Sequence, residues 1–230
     1  MKTKGASALR YSALLLGSIG VLADTSDMQR RAFNAAFATH DLDWTWDSET
    51  YADLTRVIGG LARIRHYADS VEQEVDANAI YDAKIDAFGK MLEDGVRLRP
   101  GISDLIAEAR HYDMKIACVS AEDKRQVALI LRALGHDLDP SVFDYIGDGS
   151  KAARPKPEPA IYRDALRAVD VDADASLAIE DTPEGAASAV AAGIDTFAYP
   201  GPGMEHRNFV DVIGTGTPSL DLLRTAEQPA

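Results

Sequence analysis

The apolar positions follow two different rules along the chain. From Leu9 to Ala23 they form one nearly continuous run, Ala13-Leu14-Leu15-Leu16 and then Gly17-Ser18-Ile19-Gly20-Val21-Leu22-Ala23. It reads as a buried strand over residues 9–23 that opens onto a glycine turn. From Thr25 to about Arg97 the period becomes helical: Met28, Ala32, Ala35 and Ala36 share one face, and further helices are predicted over 48–57, 60–71 and 78–92. No strand pattern interrupts this block. After the turn Arg97-Leu98-Arg99-Pro100-Gly101 a helix is predicted over 102–111, and strands then alternate with helices. Strands are predicted over 114–120, 142–146, 176–179 and 196–199, helices over 124–134, 159–169 and 184–192, with one more helix near 219–225.

Such alternation implies an α/β fold, a Rossmann-like parallel sheet core with helices on both faces and ligands at the carboxyl ends of the strands. The helical block falls between the first strand and the rest, so it reads as an inserted all-helical cap domain. The expected division is a core of 9–24 and 98–225 and a cap of 25–97. A chain of 230 residues suits a core domain with a smaller insert.

Composition narrows the partners. With 46% hydrophobic and 27% charged residues the chain reads as a soluble globular protein. A net charge of −13 disfavours nucleic acid and anionic membrane, so a phosphorylated ligand would need a local positive cluster or a metal. No run approaches the roughly 20 apolar residues needed to cross a bilayer. The one cysteine, Cys118, rules out an internal disulfide and fits a reducing, cytoplasmic setting. Lys2, Lys4 and Arg10 ahead of an apolar run superficially resemble a secretory signal. No other segment can supply the first strand, however, so the run reads as core with a short basic leader.

Four strand ends carry the candidate chemistry. The first is Gly17-Ser18-Ile19-Gly20. At the second, Ser120 and Ala121 pass toward a helix start, where a hydroxyl and backbone N–H groups can hold an anionic oxygen; an ordinary helix cap would read the same way. The third is Lys156, stiffened by prolines in Arg154-Pro155-Lys156-Pro157-Glu158-Pro159, or else a solvated loop lysine. The fourth is Glu180-Asp181 after Leu177-Ala178-Ile179, hard oxygen donors suited to Mg²⁺. Alternatively Asp181 or Thr182 caps the helix beginning at Pro183. Trp44 and Trp46 read as cap packing, the five histidines show no metal-ligand spacing, and Asp170 to Asp174 reads as a solvated loop.

In order and spacing these signals resemble the haloacid-dehalogenase-like hydrolases with a helical cap after the first motif. Ser120 matches the second motif, Lys156 the third, and Glu180-Asp181 with Thr182-Pro183-Glu184-Gly185 the fourth. Arg31-Ala32-Phe33-Asn34-Ala35-Ala36-Phe37, Leu42-Asp43-Trp44-Thr45-Trp46 and the stretch from Tyr51 through Gly59-Gly60 to Tyr67 look like the CbbY-like sugar-phosphate phosphatases. The resemblance implies a Mg²⁺-dependent phosphatase acting on a phosphorylated sugar, with Ser120, Ala121, Lys156 and Arg63 on phosphate and Asp181 and Glu180 on metal.

The first motif departs from that pattern. The family reads Asp-x-Asp-Gly-Thr there, the first Asp as nucleophile and the second as acid/base. Aligned through Leu22-Ala23-Asp24-Thr25, those positions are Gly17 and Ile19, and the Thr position is Val21. Glycine has no lone pair to attack with, and isoleucine cannot carry a proton. Ser18, as a strand residue, would leave on the face opposite Gly17, and Asp24 reads as a hinge residue. In the cap the usual Lys-Glu-Arg after Gly59-Gly60 is Leu61-Ala62-Arg63. The expectation is a catalytically inactive or impaired scaffold that retains phosphate or sugar-phosphate binding, with Mg²⁺ weakened. The alternatives are a weak phosphatase using Asp181, Glu180 and Lys156, or a structural partner of an active paralogue.

Overall fold

A computed structural model describes residues 9–150 and 154–224. The chain opens with β1 (Ala13–Leu16) and a single helical turn, α1 (Ile19–Leu22). Four helices follow: α2 (Ser26–Thr39), α3 (Ser48–Leu54), α4 (Gly60–Ser70) and α5 (Ala77–Met91). Then come α6 (Ile102–His111), β2 (Lys115–Val119), α7 (Lys124–Ala133), β3 (Tyr145–Gly147) and α8 (Ala160–Val169). The order ends with β4 (Ser176–Glu180), α9 (Pro183–Ala191), β5 (Asp195–Ala198) and the two-residue β6 (Gly214–Thr215).

The strands form one sheet in the order β3-β2-β1-β4-β5-β6, every neighbouring pair parallel. β1 lies between β2 and β4, with Leu16 level with Cys118 and Ile179. Alternate residues of this strand face opposite ways. Leu14 and Leu16 enter the core formed with α6 and α7, while Ala13 and Leu15 enter the core formed with α8 and α9. Cys118 is buried in the first of these cores, and burial pushes its thiol up to about 12, so it packs and does not react.

The predicted first strand is too long. The chain leaves strand geometry at Gly17, and Ser18 caps a helical turn by accepting from Gly20 N at 2.9 Å and Val21 N at 3.3 Å. Val21 and Leu22 are as buried as β1 itself, so a strand and a helical turn merge into one apolar run that periodicity cannot divide. At the tail the predicted helix is a 3₁₀ turn, Leu220–Leu223. Thr225, Lys2 and Lys4 lie outside the described residues.

Helices α2 to α5 gather around their own aromatic core of Phe33, Phe37, Trp44, Trp46 and Tyr51. Trp46 is fully buried between Phe33 and Phe37, with ring centroids 4.8 and 4.7 Å away, so both tryptophans pack the cap. The cap meets the core along α5 and α7, where Tyr81 Oη donates to Asp123 Oδ2 at 2.6 Å, Arg125 pairs with Asp82, and Lys84 donates to Gln126 Oε1. Arg99 ties α1 to the segment after β5: its guanidinium donates to Gly20 O, Tyr199 O and Pro200 O at 2.7–3.1 Å and lies 3.5 Å from the Tyr199 ring centre.

Candidate functional site

The carboxyl ends of β1, β2 and β4 open below the cap. Lys156, 5% exposed, reaches between them and donates to Gly17 O, to Val119 O at 3.3 Å and to Glu180 Oε1 at 2.5 Å. An ammonium has three donors, and all three are used. Glu180 is fully buried and also accepts from Tyr162 Oη at 2.6 Å; its Oε2 has no partner among the described residues. Burial pushes the Glu180 carboxyl up, and the Lys156 charge beside it pulls it back down. Tyr162 is pushed well above its ordinary value by burial and by that carboxyl.

Gly17 borders this cluster. As the next residue beyond Leu15 on the α8 face, it points its missing side chain at Tyr162. A Cβ there would run into Tyr162 Oη and the Glu180 carboxyl. The volume that a strand-end aspartate would need is therefore filled by two other side chains. Ile19, 6% exposed, presents a methyl-bearing wall to the cleft.

Ser18 does not leave on the far face as a strand residue would. The helical turn aims its hydroxyl at Asp181, to which it donates at 2.7 Å. Thr182, not Asp181, caps α9, accepting from Gly185 N at 3.2 Å. Ser120 is buried and accepts from Glu122 N at 3.1 Å, while the cap of α7 is Asp123, which accepts from Gln126 N at 3.0 Å. Arg63 is held inside the cap, donating to Leu54 O at 2.9 Å, Val57 O at 3.3 Å and Tyr51 Oη at 3.4 Å.

Ser120, Ala121, Lys156, Asp181 and Arg63 line one cleft between core and cap, with a cavity of about 150 Å³. Glu180 and Gly17 are not brought to its surface. Sequence reasoning missed Gln29, Tyr51, Thr55 and Glu122, which also line the cleft, and Tyr162 behind it. Nothing in their local pattern marks them; α2, α3 and α8 read simply as packing helices, and Thr55 and Glu122 lie in the turns after α3 and before α7.

Phosphatases of this kind generally use Mg²⁺, a demanding six-coordinate ion. The donor set here is one carboxylate short of the expected pair. Asp181 already accepts from Ser18, and Glu180, expected as a second ligand, is turned inward to Lys156 and Tyr162. Among the described residues no three His, Cys, Asp or Glu side chains converge.

Residues 20–199 match the family model described as haloacid dehalogenase-like hydrolase, a match that begins just past Gly17 and Ile19. The chain is 37% identical to protein CbbY of Cereibacter sphaeroides over 202 residues, 86% of this chain and 87% of that one. It is 36% identical to the plasmid-borne CbbY of Cupriavidus necator over 198 residues, 82% and 78% of the two chains. Among solved structures it is similar to CbbY from Rhodobacter sphaeroides in complex with phosphate, with 33% identity, TM-score 0.85 and coverage of 93% and 99%. A variant of that protein in complex with xylulose-(1,5)bisphosphate superposes with TM-score 0.86 at 33% identity, covering 94% of this chain and 100% of the other.

Proposed function

The chain belongs to the haloacid dehalogenase-like hydrolase family, beside the CbbY proteins, and from that premise we propose that it is a phosphatase scaffold without phosphatase turnover that binds a phosphorylated sugar between core and cap. The carrying observation is the end of β1. Gly17 offers no nucleophile, Tyr162 and Glu180 occupy the space where one would sit, and Ile19 cannot exchange a proton. Loss of a nucleophile alone costs on the order of a millionfold in kcat in a serine protease.

What supports retained binding is the cradle that remains. Ser120 and the turn at Ala121 line the cleft beside Lys156, and the CbbY structures hold phosphate and a sugar bisphosphate. In this reading 25–97 is the cap over a core of 9–24 and 98–225, and the protein acts by binding, in the cytoplasm. A single cysteine, which can form no internal disulfide, supports that compartment.

The test is hydrolysis of p-nitrophenyl phosphate and a panel of sugar phosphates with Mg²⁺, alongside calorimetry with the same esters. The expected result is binding without turnover. Turnover that disappears in both Lys156→Ala and Asp181→Ala would overturn the reading.

A further inference from the structure

The joint between cap and core encloses a charge with little around it to replace water. Lys84, on α5, is 1% exposed, and its Nζ lies 4.9–5.7 Å from the ring centres of Phe33, Tyr81 and Phe88. An ammonium carries three N–H donors. Among the described residues Lys84 uses one of them, on Gln126 Oε1 of α7, and the Nε2 of that same carboxamide is buried without a partner. Among those residues no carboxylate pairs with the amine: Asp82 and Asp123, at the same joint, pair with Arg125, and Asp123 also accepts from Tyr81. The ionisable groups that face Lys84 are Glu122 and Asp123 from the turn before α7, which favour its charge, and Arg63 from α4, which opposes it. Tyr81 faces it from α5 and is kept neutral by burial, while α2 presents only the Phe33 ring. Burial outweighs the two carboxylates and lowers the Lys84 pKa to about 7.

We propose that this joint is a proton-linked latch: when α5 parts from α7, Lys84 Nζ enters water and takes up a proton, so the cap is held against the core more firmly as pH rises. Once hydrated, a lysine titrates near 10.4. Between about pH 7 and 10 the parted joint therefore holds a proton that the closed joint lacks, and closure gains as pH rises through that window. Below about pH 7 both hold it, and the dependence vanishes. From about pH 7 to 9 the opening constant should fall by about fiftyfold. The cleft lies between the two parts so joined, and Glu122 both lines it and faces Lys84. The same proton thus governs how readily a ligand enters, whatever that ligand's chemistry.

The test is acetylation of the full native chain by acetic anhydride, read residue by residue by mass spectrometry, with Lys90 and Lys124 as exposed amines in the same tube. Lys84 reacts only when the joint parts, so its rate divided by theirs follows the opening constant. That ratio is expected to fall by about fiftyfold between about pH 7 and 9. Alkylation of Cys118, fully buried in the core, times unfolding of the whole chain. Scaled to a free amine and a free thiol, Lys84 should be reached at least about tenfold more often than Cys118, because a local opening needs less free energy than a global one. Gln126→Glu sets a carboxylate against the ammonium, so in that variant the ratio should become nearly flat over the same range. A ratio that stays constant between about pH 7 and 9, access to Lys84 no more frequent than to Cys118, or an unaltered slope in Gln126→Glu would each overturn the latch.

Discussion

Replacing Gly17 by alanine tests whether the space beside β1 is truly taken. The new Cβ would meet Tyr162 Oη and the Glu180 carboxyl, the ends of two buried side chains rather than backbone. They can yield, but only by loosening the Tyr162–Glu180 hydrogen bond at 2.6 Å or the Lys156–Glu180 pair at 2.5 Å. Overpacking of this size costs about 1–3 kcal/mol, offset by about 0.4–1 kcal/mol from a less flexible unfolded chain. The net expectation is a loss of about 1–2 kcal/mol. Gly17→Asp should cost more, about 3–5 kcal/mol, because it adds a carboxylate to a buried site whose one lysine is already paired. Tyr162→Phe by itself loses a hydrogen bond to a charged group, about 1.5–3 kcal/mol. It also removes the hydroxyl that obstructs the new Cβ. In Gly17→Ala/Tyr162→Phe the two losses should therefore fall short of their sum by about 1 kcal/mol. Urea midpoints at constant m-value measure all four corners of the cycle. A neutral Gly17→Ala, or strictly additive losses, would refute the claim that these side chains fill the nucleophile's place.

Three further outcomes follow from other buried or half-buried polar groups. Lys84 lies among the rings of Phe33, Tyr81 and Phe88, and burial lowers its pKa to about 7. An unfolded lysine titrates near 10.4, so between about pH 7 and 10 the unfolded chain holds a proton that the folded chain lacks. This site's share of stability therefore grows as pH rises through that window. Lys84→Met should remove the slope between pH 7 and 9 and be the more stable at pH 7, as read by denaturation of both proteins; parallel pH profiles would contradict it. Ser18→Ala loses the cap of α1 and the bond to Asp181, which should lower stability by about 0.5–2 kcal/mol, measured by the urea midpoint. Arg99→Lys cannot span Gly20 O, Tyr199 O and Pro200 O together, and loss of a half-buried hydrogen bond should cost about 0.5–1.5 kcal/mol in the same assay.

Much of this molecule is legible in one dimension. The α6 to β5 alternation requires a parallel sheet, since each short apolar run is followed by an amphipathic helix that can cover only one face of it. The order of Ser120, Lys156 and Asp181 at strand ends is likewise a property of the chain, because strand ends in such a sheet converge on one edge. The loss at Gly17 and Ile19 is also written there, as two missing functional groups. What fills the gap is not. That Glu180 turns inward to Lys156 and Tyr162, that Ser18 bends round to Asp181, and that Gln29 and Glu122 line one cleft are facts about residues distant in sequence. Periodicity encodes which face of an element is apolar, and it carries no information about which polar tip will meet another across 18 or 163 positions. Those meetings are decided by the register of β1 against β2 and β4 and by where α8 and the cap come to rest.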